Sequence, residues 1–462
     1  MKPYQQYKAS GISWIGEIPH HWSKLKLRSI LKPVTVRNRT DLPLLSVVRE
    51  KGVILRNIEN KNENHNYIPD DLSNYKLVQK GQLAMNKMKA WQGSYGLSNY
   101  EGIVSPAYYV FSISGVFNYF FHLALRSKVY VPFFTSASDG VRVGQWDLNL
   151  NRMKEIPFYL PTNEEQQQIV RYIDWKTTKI HKFIKAKKKL IALLKEHKQK
   201  IIVEAVTKGI NPDVHMMDSG VDWLGEIPEH WGVRKFSTLA RIIRGASPRP
   251  SGDPKFFNGS FMPWVTVGEI TKDNSPYLYA TETCLTEDGV KKSQFINAGT
   301  LIYSNSGATL GVPKITKIDC CANDGVLAFT HLSNELVPIF AYYYLTSLTE
   351  RIRKELRQGG TQPNLNTSIV KRFFCPLPPL KEQNLIVTYI EKEISVINKT
   401  IFQAEKEIVL IQEYQTRLIS DVITGKIDVR SIQVPDYEPI EADIDLSDEN
   451  VTDDLVIEDI EE

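Results

Sequence analysis

Two stretches of this chain gather cations beside side chains that carry paired hydrogen-bonding groups. "NKMKAWQGSY" brings together Asn86, Lys87, Lys89, Trp91, Gln92, Ser94 and Tyr95, and "VRNR" adds Arg37 and Arg39. In the second half, Ser304, Asn305, Ser306 and Thr309 occupy the matching stretch. There "RGASPRPSGDPK" adds Arg244, Ser247, Arg249 and Lys255, while "EDGVKKS" adds Lys291 and Lys292. Gln145 and Gln362 hold equivalent places in short Gly-bearing segments, "GQWDLN" and "GGTQPNLN". Lys and Arg neutralise phosphates, and amide, hydroxyl and guanidinium groups match base edges, so these residue types fit the holding and reading of a polyanion. The plainer reading is a set of solvated surface residues, with Gln145 and Gln362 bracing their loops.

Bond-breaking chemistry finds less support. Cys284, Cys320, Cys321 and Cys375 show no C-x-x-C spacing and no partnering His cluster, so neither zinc nor a disulfide framework is indicated. A phosphate-gripping G-x-x-x-x-G-K-[ST] loop is missing, since "GATLGVPK" and "VITGKID" fail its spacing. Neither a Ser-His-Asp set nor a nuclease carboxylate cluster stands out, although carboxylates distant in sequence stay open.

The 462 residues, 42% hydrophobic and 10% aromatic, suffice for more than one core. The formal charge of +4 hides an asymmetry. Residues 431–462 hold 13 acids and no Lys or Arg, which leaves residues 1–430 with 57 Lys+Arg against 40 acids, a charge of +17. A basic body suggests a polyanionic partner, and the acidic tail reads as disordered. The amino terminus lacks a signal-peptide core, and no run of 18 apolar residues occurs, so a cytoplasmic, membrane-free protein is expected.

The elements that position these residues are written twice. "SGISWIGEIPHHW" (Ser10 to Trp22) returns as "SGVDWLGEIPEHW" (Ser219 to Trp231). "GQLAMNKMKAWQGSYGL" aligns with "GTLIYSNSGATLGVPKI" at an offset of 218, and "LPTNEEQQQIVRYI" with "LPPLKEQNLIVTYI" at 217. The order is motif, variable domain, long helix, twice over. The polar positions that differ between aligned glycines and apolar residues suit two domains reading different sequences, and would equally suit surface drift. Trp14, Trp22, Trp223 and Trp231, with Pro19 and Pro228, are expected as apolar anchors that clasp each domain to the helices.

The first helix is predicted from Thr162 or Asn163 to about Lys208, with Glu164 and Glu165 at its positive end and Gly209 and Pro212 stopping it. Ile173, Ile180, Lys187, Leu194 and Ile201 recur every seven residues, interleaved with Thr177, Ile184, Ile191, Lys198 and Ala205. The second helix repeats the seam 217 residues later as Ile390, Ile397, Ala404, Ile411 and Leu418, with Ile394, Ile401, Ile408, Gln415 and Val422. Residues 163–208 carry twelve Lys+Arg and five acids, and residues 380–424 carry five and seven, which favours pairing with each other over self-association. Two separate core helices are the alternative. The heads read as mixed α/β: "FMPWVTVGEI", "GTLIYSNS" and "CCANDGVLAFT" as strands, "FAYYYLTSLTERIRKELRQGG" as a helix with a Gly stop.

At this point the chain resembles the specificity (S) subunit of type I restriction-modification enzymes, up to about residue 430. The likeness rests on the doubled "W-x-G-E-I-P-x-x-W", on "PWVTVGEI" followed by "LTEDGVKKS" and "GTLIYSNSGATLG", on "MNKMKAWQGS" with "EGIVSPAYYVF", on "GGTQPNLN" and on the "LPxxxEQ" opening each long helix. It implies two mixed α/β target-recognition domains joined by two long helices in an antiparallel coiled coil with pseudo-two-fold symmetry. The implied segments are a clasp at 1–22, domains at 23–159 and 232–376, spacer helices at 160–210 and 377–430, a linker with the second clasp at 211–231, and the tail at 431–462. It further implies a noncatalytic subunit that recognises a bipartite, asymmetric site on double-stranded DNA. Its implied partners are two methyltransferase subunits modifying adenine N6 and the restriction/translocase subunits. S-adenosylmethionine, ATP and Mg would belong to those partners, with no cofactor bound by this chain. In agreement, neither "NPDV" nor "VPDY" supplies the (N/D)PP(Y/F) loop of an adenine methyltransferase. A stand-alone two-headed DNA-binding regulator and a coiled-coil adaptor without nucleic acid are the competing classes; the +17 body weighs against the second.

Overall fold

A computed structural model of the chain describes residues 2–49, 51–57, 68–140, 146–307, 309–357 and 365–438. Two compact units form, one from residues 1–187 and 406–462, the other from residues 188–405, so each contains part of both long helices. These helices run Asn163–Lys208 and Leu380–Ile423, as the heptad spacing predicts. Ile173, Ile180, Ile184, Ile191, Ile201 and Ala205 are buried along the first, and Ile390, Ile394, Ile397, Ile401, Ala404, Ile408, Leu418 and Val422 along the second. Leu194 and Ile411 are half-buried.

Within each unit the two helices pair antiparallel. In the first, Tyr172 and Ile173 share a core with Leu418 and Val422, and Lys187 reaches Glu407 at 2.6 Å. In the second, Lys198 Nζ donates to Asn398 Oδ1 at 3.0 Å, and Ala205 and Val206 pack with Ile386 and Ile390. The polar seam residues Lys187 and Lys198 thus both find a partner on the facing helix, an arrangement that penalises shifted registers.

Each head hangs on the same stem. Ser23–Lys26 pairs with Pro157–Leu160 in the first unit and Gly232–Lys235 with Phe374–Leu377 in the second, with Ser23 opposite Leu160 and Gly232 opposite Leu377. Inside the stem, a four-stranded antiparallel sheet of the first unit has the order Leu31–Pro33, Tyr108–Ile113, Leu83–Asn86, Tyr95–Leu97. The second unit keeps that arrangement as Arg241–Arg244, Val326–Thr330, Leu301–Ser304, Pro313–Thr316, extended by Tyr277–Leu278. It also has a four-stranded sheet around Phe257–Val265. One strand expectation is corrected: in "FMPWVTVGEI" the strand stops at Val265, and Val267–Thr271 is a short helix that turns Ile270 into the core. "FAYYYLTSLTERIRKELRQGG" falls in helix Pro338–Arg357, and its closing glycines lie outside the described residues.

In each unit the doubled opening motif contacts the first turn of a long helix. In the first unit Glu165, buried in the first turn of its helix, accepts from Tyr4 Oη at 2.6 Å and Trp22 Nε1 at 3.1 Å and lies 2.7 Å from His21 Nε2. In the second, Glu382 takes His230 at 2.7 Å, but Trp231 Nε1 is buried without a partner. The next residues work alike. Gln166 Oε1 accepts the Phe117 N–H at 2.8 Å, and Gln383 Oε1 accepts the Val337 N–H at 2.8 Å, each satisfying a free donor where a head helix begins. Each clasp also meets the end of the opposite helix. Gly425, at φ +75°, lies against Pro19 and Trp22, and Gly209, at φ +78°, lies against Trp231 and Pro228. Trp14 departs from the buried-anchor expectation: it is exposed, held by Phe133 and by a bond from Nε1 to the Val129 carbonyl.

Candidate nucleic-acid interface

In the first unit the candidates follow strand Leu83–Asn86, whose buried side chains fix where the chain emerges. Asn86 Oδ1 accepts the Met88 N–H at 3.0 Å, which folds the loop back. A single 3-10 turn at Ala90–Gln92 then ends on Gly93 in the left-handed region, φ 96°. Trp91 donates from Nε1 to the Met88 carbonyl and packs on Trp146 with ring centroids 5.0 Å apart, leaving a half-buried aromatic pair at the surface. Lys87 reaches Asp147 at 2.5 Å, and that bond raises its pKa. Lys89 is exposed and Gln92 half-buried.

Four candidates are corrected. Tyr95 is fully buried and gives its hydroxyl to the Leu125 carbonyl at 2.8 Å, and Ser94 is buried beside it. Ser304 is buried, donating to the Thr309 carbonyl at 2.7 Å and accepting the Val312 N–H at 2.8 Å. Asn305 is buried as well, donating to the Asp324 carbonyl at 3.2 Å. All four lie at or beside strand ends and are turned inward, where they brace the loops. Ser306 and Thr309 remain half-buried.

The cations divide into paired and unpaired. Arg39 forms a two-pronged bond with Asp41, at 2.9 and 3.0 Å, and Lys291 lies 3.3 Å from both Glu287 and Asp288. These carboxylates raise the pKa of each and neutralise its charge locally. Arg37, Lys89, Lys255 and Lys292 are exposed and make no ion pair among the described residues. In the second unit three candidates converge on one acid that the sequence did not single out. Asp324 accepts Ser247 Oγ on Oδ1 at 2.6 Å, its carbonyl accepts Arg244 Nε at 2.6 Å, and Arg249 Nη2 lies 3.8 Å from its Oδ2. The Ser247 bond, together with the two guanidinium groups, holds the Asp324 carboxyl below the usual carboxylate range. Gln145 and Gln362 lie outside the described residues.

Both surfaces therefore offer exposed cations beside groups with directional donors, the pattern needed for phosphate and base-edge contacts. Among the described residues there is no cluster of His, Cys, Asp or Glu able to hold a metal ion, and no helix is long and apolar enough to cross a membrane.

Comparison with known proteins points the same way. Residues 228–408 match the model of the type I restriction modification DNA specificity domain. The chain is 23% identical over 441 residues to a putative type I restriction enzyme MjaX specificity subunit of Methanocaldococcus jannaschii, covering 90% of this chain and 96% of that one. Over 208 residues, 44% of each chain, it is 19% identical to the EcoKI specificity subunit of Escherichia coli K12. Among solved structures it is similar to a chain from work on complex assembly and conformational transition of the type I R-M system. There the TM-score is 0.67 at 16% identity, over 89% of this chain and 99% of that one. The HsdS subunit of Thermoanaerobacter tengcongensis gives a TM-score of 0.50 at 17% identity, over 89% and 98%.

Proposed function

We propose that the chain is a specificity subunit of a type I restriction-modification system and that it reads a bipartite, asymmetric DNA site, one half-site per unit. The observation that carries this is the doubling itself. Clasp, stem and helix repeat in matching register, while the surface groups differ: Lys87, Lys89 and Trp91 in one head, Arg244 and Arg249 in the other. The scaffold is kept and the reading surface changed. Residues 23–159 and 232–376 are the target-recognition domains of this reading.

Noncatalytic alone, the chain directs an adenine-N6 methyltransferase and ATP-dependent restriction subunits to the site, in the cytoplasm. S-adenosylmethionine, ATP and Mg enter through those partners, two of them methyltransferases. Support for docking comes from large apolar side chains left exposed on the long helices: Phe183, Leu410 and Tyr414 in the first unit, Leu385, Val396 and Phe402 in the second. Mapping N6-methyladenine in cells that carry the chain with its methyltransferase tests the reading. One bipartite motif with an unread gap is expected; a short continuous motif, or no methylation with both proteins expressed, would overturn it.

A further inference from the structure

We infer that Asp324 is a positioning residue that holds Arg244 and Arg249 toward the DNA phosphates at the half-site read by the second unit; this rests on the reading above. An exposed arginine loses much side-chain freedom when it grips a phosphate, so fixing it beforehand strengthens the grip. Asp324 does this for two arginines in different ways. Its carbonyl binds Arg244 through Nε at 2.6 Å, so neither Nη group of Arg244 is used in that bond. Its carboxylate faces Arg249 at 3.8 Å, too far for a hydrogen bond, and steers that guanidinium without consuming its donors. Arg249 is 72% exposed and Asp324 46% exposed, so both are within reach of a ligand.

The acid is itself held. Ser247 fixes Oδ1 at 2.6 Å, and the buried Asn305 donates to the Asp324 carbonyl at 3.2 Å. Asn305 Oδ1 is left buried without a partner, a cost tolerated for a group whose other end supports this turn. The backbone approaches closely here too: a Cβ on Gly245 would lie 2.0 Å from the Asn323 carbonyl oxygen. An acid that merely neutralised the arginines would work against a phosphate ligand. One that sits 3.8 Å off and is itself clamped orients them and leaves a net charge of +1 on the three groups. At the 218-residue offset the first unit has Pro106, so the device belongs to one half-site.

The test uses the full chain with its methyltransferase and a duplex carrying the methylated site, titrated at several salt concentrations. Arg249→Ala is expected to weaken binding about fivefold and to lower the salt slope by about one. In an Asp324→Asn background the same substitution is expected to cost less than twofold, because the unsteered arginine contributes little. Equal losses in both backgrounds would overturn the inference, as would tighter binding by Asp324→Asn alone, since the acid would then only oppose the phosphates. If Asp324→Asn unfolds, Ser247→Ala replaces it and should show the same coupling to Arg249. Should the unaltered complex fail to prefer the site duplex over a scrambled one, the specificity reading itself fails and takes this inference with it.

Discussion

Glu165 serves three donors, Tyr4, Trp22 and His21, from a buried position, whereas Glu382 serves His230 and leaves the Trp231 indole unpaired. The same substitution should therefore cost different amounts in the two halves. Glu165→Ala strands three polar groups and is expected to destabilise its unit by about 3 kcal/mol; Glu382→Ala, with one partner on a more exposed pair, by about 1 kcal/mol. Denaturant unfolding of both variants checks the difference, and equal losses would show that the clasp does not depend on these bonds. Asp174 gives a pH-dependent counterpart. Burial pushes its carboxyl up to about 6, so the folded chain favours the protonated form. The folded state is then relatively most stable below about pH 4, and this advantage is lost as pH rises through about 6. Asp174→Asn is expected to stabilise the chain by about 1 kcal/mol at pH 7, after allowance for solvent screening, and to change nothing at pH 3.5. Urea titrations at the two pH values decide it.

The ends of the long helices carry the clasp's other contact. A Cβ on Gly425 would lie 2.3 Å from Pro19 Cδ, in a backbone already at φ +75°, while Gly16 has φ +72° and open space around it. Gly425→Ala is therefore expected to cost more than about 2 kcal/mol and Gly16→Ala about 1 kcal/mol, read as shifts in thermal midpoint. If the two shifts match, the helix end does not seat on the clasp. The helices and clasps were legible in the sequence because both repeat at constant offsets and a seven-residue period survives any change of surface residue. The candidate site was legible only in part. Ser94, Tyr95, Ser304 and Asn305 lie at or beside strand ends, where the sequence does not tell a side chain turned inward from one turned to solvent. Asp324 escaped notice because its partner Ser247 is 77 positions away, and Asp147 because Lys87 is 60 away. The Glu-Gln pair opening each helix did carry a signal, since it recurs unchanged at 165–166 and 382–383 while the residues around it differ.

At the scale of the whole molecule, the stems define what can be exchanged. The second head leaves and re-enters its unit through the Gly232–Lys235 and Phe374–Leu377 pair, and Trp231 of the clasp and Glu382 and Gln383 of the helix lie outside that pair. A graft joined after Lys235 and before Phe374 keeps the residues of clasp, stem and helical seam, and the incoming domain must itself supply the backbone N–H that Val337 gives to Gln383. It replaces Arg244, Arg249, Lys255 and Lys292 together with the Asp324 turn. Substituting residues 236–373 by the corresponding domain of another specificity chain is therefore expected to change one half of the methylated motif and leave the other half as it was. Methylation mapping of the chimera reads both halves in one measurement, with the unchanged half as the internal control for folding and assembly. A chimera that methylates efficiently but alters both halves would mean that reading is shared between the units. One that keeps the original motif would place recognition outside residues 236–373, on the clasps or the helices.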